Sequence, residues 1–405
     1  MPYVYPFKAL RPKSEYAAQV AALPYDVMNA EEAREMVKGN PHSFLHVDKA
    51  EIDLPEETDH YGAEVYAKAS ENLQKLINEN VLIKDGKPLF YVYRLTMDGR
   101  SQTGLVACVS VEDYLSGKIK KHELTRADKE ADRVRHVQTL SAHTGPIFLA
   151  HQKDDKIREI LSEITEKNAP AYDFTAENGV SHAVWAVYDE FLAEAIAGYY
   201  SSLPAFYIAD GHHRAAAAVK TAQERNLTDF DEGGRFLSVI FPADELLIMD
   251  YNRLVKFPAG LTEAALLERL SESFTIEEAD APVKPESKHV FGIYTGKWRK
   301  LTLKAKAIDG VIEDLDVSVL QDYVLSPIFG IDDARTSKSV DFVGGARGLD
   351  ELSRRVDSGE FDAAFSMFPT SIEELMAVAD AGLIMPPKST WFEPKLLSGL
   401  FIHEI

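Results

Sequence analysis

The spacing of apolar positions predicts a mixture of helices and strands over residues 1–115. Between residues 61 and 80, apolar side chains recur every three or four positions, which is typical of a helix with one buried face. A shorter helix is predicted to begin at Asn29, because Glu32 completes a capping box and Gly39 follows the last turn.

Strand-length apolar runs separated by turn residues predict hairpins. The segments "LFYVYRL" and "TGLVACVSV" flank Asp98-Gly99, and "AYDFTA" and "HAVWAVYD" flank Asn178-Gly179. Further along, "LPAFYIA" predicts a buried strand that ends at Asp210 and is followed by an alanine-rich helix.

The C-terminal part of the chain repeats this mixture. A helix capped by Thr262 is predicted to end near Phe274, and residues 289–305 resemble another hairpin. More helices are predicted around 317–325, 349–357 and 371–381. Strands and helices do not follow the regular strand–helix alternation of a β/α barrel, so the pattern favours an α+β fold. We expect three regions, covering residues 1–115, 116–250 and 251–405.

Composition narrows the classes of function. The 405 residues include 44 Lys and Arg against 65 Asp and Glu, a net charge of −21. This balance opposes nonspecific binding to nucleic acid or to an anionic membrane, because both require a positive face. No stretch approaches the roughly 18 apolar residues that span a bilayer. The lone Cys108 lies in an apolar run and favours a buried thiol in a reducing compartment. We therefore predict a soluble cytoplasmic protein.

The strongest candidate site is the turn from strand to helix at residues 210–214. Asp210 ends the strand, and Gly211 permits a tight turn. The first helical amides, together with His212, His213 and Arg214, favour an anion site suited to phosphate. Asp210 is then a helix cap, a magnesium contact or a proton acceptor. Capping alone explains the aspartate but not the three basic side chains beside it. Zinc is disfavoured, because adjacent histidines point in different directions.

A second candidate segment spans residues 117–136. Between Lys118 and His136 the chain has seven Lys or Arg and four Asp or Glu, a local net charge of +3. Such a reversal suits an anionic ligand. Helical ion-pair spacing instead predicts a solvated face for most of these residues. Glu123 precedes the helix, where its carboxylate can reach into a cleft.

A third candidate is the loop "PPKSTWFEPK", residues 386–395. Two prolines stiffen the backbone, and Lys388, Ser389 and Thr390 then offer an ammonium group and two hydroxyls. A rigid polar loop of this kind either binds a carboxylate or phosphate, or is an ordinary surface loop.

Taken in order, these motifs resemble those of free serine kinases built on a ParB/sulfiredoxin-like domain. The matching residues are His122-Glu123, the Asp-Gly-His-His-Arg turn and the Pro-Lys-Ser-Thr segment at 387–390. The whole chain, including "YPFKALRP", "PYDVM", "NPHSFLHV" and "MPPKSTWFEPK", is similar to a larger family, described as a domain of unknown function, that shares this core. The resemblance implies a mixed-sheet core with additional α/β lobes.

The resemblance also implies an activity, namely phosphoryl transfer from ADP or ATP to the hydroxyl of free L-serine with Mg²⁺. Glu123 matches the carboxylate that accepts the hydroxyl proton, and Asp210 is a second catalytic residue and the metal contact. Gly211 to Arg214 match the segment near the nucleotide phosphates, and Lys388 to Thr390 match a substrate loop.

Two other classes of function remain open. One is a ParB-like nucleotide-binding regulator that binds DNA or a partner protein and has no kinase activity, although the acidic chain makes nucleic acid a poor ligand. The other is a phosphoserine phosphatase-type enzyme that uses the same pocket. The sequence leaves the oligomeric state undefined.

Overall fold

The chain folds into two units, each with its own sheet. A computed structural model describes residues 1–305 and 307–405. One unit comprises Met1–Leu246 together with Pro394–Ile405, and the other comprises Leu247–Glu393. The C-terminal segment therefore returns to the first unit. The predicted division into three regions stays a prediction.

The elements are named here in chain order. The strands are β1 (Val4–Tyr5), β2 (Leu10–Pro12), β3 (Leu82–Lys84), β4 (Phe90–Met97), β5 (Arg100–Ser110), β6 (Ile119–Lys120), β7 (Ala142–His143), β8 (Ile147–His151), β9 (Tyr172–Thr175), β10 (Ser181–Val187), β11 (Phe206–Asp210), β12 (Arg235–Pro242), β13 (Leu247–Met249), β14 (Tyr251–Val255), β15 (Phe274–Ala279), β16 (Val290–Tyr294), β17 (Trp298–Leu303), β18 (Val340–Gly344), β19 (Ala363–Ser366), β20 (Trp391–Glu393) and β21 (His403–Glu404). The α-helices are α1 (Ala17–Val20), α2 (Ala30–Met36), α3 (Leu45–Asp48), α4 (Ala63–Asn78), α5 (Val111–Leu115), α6 (Ala127–Leu140), α7 (Asp155–Lys167), α8 (Glu190–Tyr200), α9 (His212–Glu224), α10 (Glu263–Ser273), α11 (Asp316–Leu320), α12 (Ser326–Phe329), α13 (Gly348–Asp357) and α14 (Ile372–Asp380).

A large mixed sheet forms the centre of the first unit. Its strand order is β6-β11-β8-β12-β5-β4-β10-β9, and β1 also pairs with β5. The β6–β11 and β8–β12 pairs are parallel, whereas the other neighbours are antiparallel. This sheet, with helices packed on it, confirms the predicted α+β class.

Turn chemistry sets the two predicted hairpins of this sheet. Met97 pairs with Arg100, which leaves Asp98 and Gly99 as a two-residue turn with φ values of +51° and +77°. Left-handed conformations at both central residues match the right-handed twist of the flanking strands. The β9–β10 hairpin turns through Gly179 at φ +81°. Both hairpins are confirmed.

The apolar side chains of the sheet form one cluster with helices α7, α8 and α9. Val92, Leu105 and Phe236 from the strands are essentially inaccessible to solvent. Ile160 of α7 and Ala218 of α9 belong to the same cluster. Burying a Val, Leu, Ile or Phe side chain stabilises the fold by about 1.5–3 kcal/mol. The sheet is therefore a well-packed support for the loops that follow β6 and β11.

A second sheet organises the other unit. Its order is β15-β17-β16-β19-β14-β18, and all of its neighbouring strands run antiparallel. The predicted hairpin over residues 289–305 is confirmed as β16–β17, whose register closes at Tyr294 and Trp298. The helix predicted at 317–325 is interrupted, because α11 ends at Leu320 and a π-helical turn follows. Within the described ranges, no helix is both long enough and apolar enough to cross a bilayer.

A buried carboxyl group lies at the start of α11. Asp316 is 7% exposed, and its Oδ1 accepts a 2.8 Å hydrogen bond from the backbone N–H of His289. Its Oδ2 is buried and has no hydrogen-bond partner among the described residues. Burial raises the pKa of Asp316 to about 7, despite the hydrogen bond from the His289 N–H and the nearby charge of Lys288. Between about pH 4 and pH 7, the folded protein therefore holds a proton on Asp316 that the unfolded chain has released.

Replacing this carboxyl group tests the consequence for stability. Because the pKa is higher in the folded protein, the wild type loses free energy of unfolding as pH rises from about 4 to about 7. Asp316→Asn removes that loss. We therefore expect the free energy of unfolding of the variant, relative to that of the wild type, to rise by about 1–4 kcal/mol between pH 5 and pH 8. Urea unfolding at pH 5, 6.5 and 8 measures the difference. The exposed Asp280→Asn is the control. A difference that does not change with pH contradicts the assignment.

Candidate functional site

The turn between β11 and α9 combines a buried strand end with a close-packed helix. Gly211 is the residue before the helix and has φ +95° and ψ 27°, a conformation that suits glycine. Ala215, Ala217 and Ala218 are buried, and their small side chains let α9 lie close to the sheet and to α6. The sequence thus fixes both the sharpness of the turn and the position of the first helical amides.

Asp210 lies at the end of β11 beside two cations. Its Oδ2 is 3.3 Å from the Nζ of Lys395, and its Oδ1 accepts a 2.7 Å hydrogen bond from the Gly211 N–H. Burial favours the neutral acid, but Lys395 and Arg214 outweigh it, and the pKa of Asp210 is held well below its usual value. Asp210 is therefore ionised at neutral pH. It does not cap α9, because Gly211 occupies that position.

Arg214 lies against the turn itself. Its Nη1 donates a 2.7 Å hydrogen bond to the carbonyl of Pro146. Its Nε is buried and has no hydrogen-bond partner among the described residues. The guanidinium lies 3.1–3.2 Å from where a Cβ on Gly211 would project. The charge of Arg214 is thus held next to the start of α9, where an anion is also favoured by the helix dipole.

Glu123 lies beside this turn although it is 87 positions from Asp210 in the sequence. The reason is the parallel pairing of β6 with β11, in which Ile119 lies opposite Phe206. The chain therefore leaves both strands at the same edge of the sheet. Glu123 Oε2 is 3.9 Å from Nδ1 of His212. The carboxylate is 38% exposed, so it can contact both the protein and a ligand.

Two buried imidazoles complete the arrangement around Glu123. The rings of His122 and His212 lie edge to face, with centroids 4.5 Å apart and an interplanar angle of 89°. Burial lowers the pKa of His122 to about 4 and lowers the pKa of His212 well below its usual value. Both rings are therefore neutral at pH 7. One nitrogen of each ring and a carboxylate oxygen of Glu123 lie within 4.8 Å of one another.

A small cavity adjoins Arg214 within the same unit. Its wall includes Arg133, Asp48 and Tyr25. The Arg133 guanidinium carbon lies 4.0 Å from the centre of the Tyr25 ring, and Thr144 donates a 2.8 Å hydrogen bond to Asp48. Arg133 and Arg214 line this cavity together with Asp48, and Arg133 also pairs with Asp132 at 2.8 Å, so its charges are largely balanced within the protein.

The burial of Arg133 corrects part of the sequence interpretation. The charged run that forms α6 was expected to be a solvated face. Arg126 and Asp128 are indeed exposed. Asp132, Arg133 and His136, however, lie beyond the first turn of the helix and are buried. Their long-range partners explain the difference, since Asp132 accepts a 2.8 Å hydrogen bond from Tyr66 and Arg133 stacks on Tyr25.

Of the predicted site residues, Glu123 and residues 210–214 come together, whereas Lys388, Ser389 and Thr390 belong to the other unit. Ser389 is buried, and its hydroxyl donates a 2.6 Å hydrogen bond to the Pro386 carbonyl. Lys388 adopts φ +57°, and its Nζ lies 5.6 Å from the centre of the Tyr251 ring. A substrate-binding role for this loop stays a prediction.

Sequence reasoning missed Lys395 and the pairing of His122 with His212. Lys395 comes from the C-terminal segment, 185 positions beyond Asp210. No local pattern connects a lysine after a proline with a distant strand end. The histidine pair required knowledge of the β6–β11 pairing. His212 was itself a predicted site residue and His122 precedes another, Glu123, but no local pattern indicated that the two rings meet.

These features define an α+β protein with a basic strand-to-helix turn and a carboxylate beside it. The chain belongs to the DUF1015 family, described as "Protein of unknown function", whose model matches residues 4–318. The family expected from the sequence motifs is thereby confirmed. No curated protein matches the chain.

Several solved structures are similar to this chain. A free serine kinase mutant in complex with ADP is 17% identical over 71% of this chain and 87% of its own, with a TM-score of 0.37. The free serine kinase in complex with AMP is 17% identical over 71% and 86%, also with a TM-score of 0.37. A conserved hypothetical protein from Pyrococcus furiosus is 17% identical over 72% and 94%, again with a TM-score of 0.37.

The conformation of Gly211 can be tested by substitution. In Gly211→Ala, the alanine must adopt a left-handed backbone conformation, and its methyl group lies about 3.1 Å from the Arg214 guanidinium. We expect a loss of about 1–2 kcal/mol in the free energy of unfolding. The matched control is Gly198→Ala inside α8, where a Cβ meets nothing within 4 Å. That change should stabilise by about 0.5–1 kcal/mol. Chemical denaturation measures both changes in the free energy of unfolding, and changes of the same sign contradict the account.

The Asp210–Lys395 pair predicts coupled effects on stability. Lys395→Met removes one of the two cations beside a partly buried carboxylate, and we expect a loss of about 1–3 kcal/mol in the free energy of unfolding at pH 7. Asp210→Asn in the same background should cost less than in the wild type, because the two side chains interact. Urea unfolding of both single variants and the double variant measures this coupling. The exposed Lys8→Met is the control. Strictly additive losses contradict a direct ion pair.

Proposed function

We propose that this protein is a small-molecule kinase that transfers a phosphoryl group from ADP or ATP to the hydroxyl of free L-serine or a related hydroxy compound. One observation supports this most directly. The Glu123 carboxylate lies next to the basic turn at the start of α9, with Oε2 3.9 Å from Nδ1 of His212. Phosphoryl transfer requires this combination of a positioned base and a site for phosphate oxygens.

The turn supplies the groups that bind phosphate. The first amides of α9, at His212 and His213, have no helical acceptors and sit at the positive end of the helix dipole. Arg214 adds a fixed positive charge against Gly211. Lys395 adds a second cation beside Asp210. Together these groups suit the di- or triphosphate of a nucleotide.

Asp210 is the candidate ligand for Mg²⁺. It is ionised, and its side chain is 32% exposed beside Lys395. Mg²⁺ in kinase sites commonly uses one or two carboxylates together with phosphate oxygens and water. The residues present therefore fit the ion, which would neutralise charge on the phosphates.

Glu123 is the proposed general base. The serine hydroxyl oxygen forms a bond to the terminal phosphorus of the nucleotide while the bridging P–O bond breaks. Glu123 accepts the hydroxyl proton. The products are O-phosphoserine and AMP from ADP, or ADP from ATP. A positioned base of this type contributes about 10²–10⁴-fold to the rate.

Mass spectrometry of O-phosphoserine tests the proposal. Purified protein with L-serine, Mg²⁺ and either ADP or ATP should form the product, and Glu123→Gln should lower kcat about 100-fold or more. Glu112→Gln, an exposed carboxylate change on the preceding helix α5, is the matched control and should retain full activity.

Three results would contradict the proposal. The first is the absence of product with either nucleotide. The second is hydrolysis of added O-phosphoserine without nucleotide, which indicates a phosphatase. The third is retention of DNA at physiological salt without phosphoserine formation, which indicates a regulator.

A further inference from the structure

His122, Glu123 and His212 form a cluster whose chemistry differs from that of a phosphate site. One ring nitrogen from each histidine and a carboxylate oxygen lie within 4.8 Å of one another. Both histidines are more than nine-tenths buried, with exposures of 2% and 7%. Their donors therefore face the interior of the first unit, while Glu123 borders solvent.

Two buried ring nitrogens in this cluster lack protein partners. Nδ1 of His122 and Nε2 of His212 are inaccessible and have no hydrogen-bond partner among the described residues. A buried polar atom without a partner destabilises the fold by about 1–3 kcal/mol. Such atoms are rare in folded proteins and call for a specific cause, such as an ion. A bound cation would satisfy a lone pair that the protein leaves unused.

The backbone of Ile208 in β11 identifies which nitrogen of His122 is available to a cation. It favours the protonated ring, as a carbonyl that accepts from a ring N–H does. With Nε2–H donating to that backbone, the lone pair lies on Nδ1, which has no partner among the described residues. Metal-binding histidines almost always donate their second nitrogen to a carbonyl or carboxylate in this way. The strand that forms the turn therefore also orients the imidazole.

The sequence disfavours zinc at the adjacent pair His212 and His213, but the fold brings His122 beside His212 instead. We propose that His122, Glu123 and His212 bind a divalent transition-metal ion of the zinc class, with coordination positions left open towards solvent. Two imidazoles and one carboxylate suit Zn²⁺, Co²⁺ or Fe²⁺, whereas Mg²⁺ prefers oxygen ligands alone. Metal bonds of about 2.0–2.2 Å bring ligand atoms closer together than they lie here. Metal binding therefore requires the carboxylate of Glu123, whose side chain is 38% exposed, to move towards the two rings.

This site goes beyond the proposed kinase and is separate from the Mg²⁺ contact at Asp210. It shares Glu123 with the kinase proposal, so the two roles can compete for one carboxylate. Metal binding is measured without nucleotide or serine. If no phosphoserine forms, the metal-binding result is unaffected. If no metal binds, the kinase assay can still be interpreted.

Titration of the full-length, chelator-treated protein with Co²⁺ tests the site. We expect one equivalent to bind with visible d–d absorption bands, and one equivalent of Zn²⁺ to displace it. His122→Gln and His212→Gln should each weaken Co²⁺ binding at least about tenfold, because each removes a ligand. His60→Ala, an exposed histidine change, is the control for adventitious surface binding and should have no effect.

X-ray absorption of the Zn²⁺-loaded wild type gives a second readout that does not depend on the variants folding. Two imidazoles and oxygen ligands are expected at about 2.0–2.2 Å. No stoichiometric Co²⁺ binding, binding that survives both histidine changes in folded protein, or a zinc shell without two imidazoles overturns the proposal.

Discussion

The candidate site depends on the parallel pairing of two strand ends, β6 and β11. The pairing is short, with Ile119 opposite Phe206 and Lys120 opposite Tyr207. The Phe206 N–H donates a 2.9 Å hydrogen bond to the Lys118 carbonyl, and the burial of Ile119 also stabilises the pairing. Because strands β6 and β11 end at the same edge of the sheet, the residues that follow each strand lie close together. Without this pairing, Glu123 has no relation to the turn at Asp210.

Electrostatics then gives the neighbouring groups different protonation states. Lys395 and Arg214 keep Asp210 ionised despite its burial, whereas desolvation keeps His122 and His212 neutral. Two cations, Lys395 and Arg214, thus stand beside the carboxylates of Asp210 and Glu123 in a chain of net charge −21. The overall acidity discourages binding to nucleic acid, and the two cations remain able to contact a small anion.

Local features were predictable from the sequence because the backbone itself dictates them. The Asp98-Gly99 turn, the capping box at Asn29 and the strand that ends at Asp210 follow from glycine conformation, helix capping and apolar runs. The convergence of Glu123 on the turn came from a resemblance between motifs, since spacing alone does not fix strand pairing.

Other features depend on long-range packing and left no local signal. Lys395 reaches Asp210 only because the C-terminal segment returns to the first unit. Arg133 resembles any helical surface charge until Tyr25 is known to stack on it. The same limit explains why the His122–His212 contact was not foreseen, although both residues lie beside predicted site residues.

A crystal structure of the protein with bound ADP tests the central claim most directly, namely that one site unites Glu123 with the β11–α9 turn. The account predicts phosphate oxygens within about 3 Å of the first amide nitrogens of α9. It also predicts the Glu123 carboxylate facing the terminal phosphate. A nucleotide bound elsewhere, or Glu123 turned into bulk solvent, would contradict it.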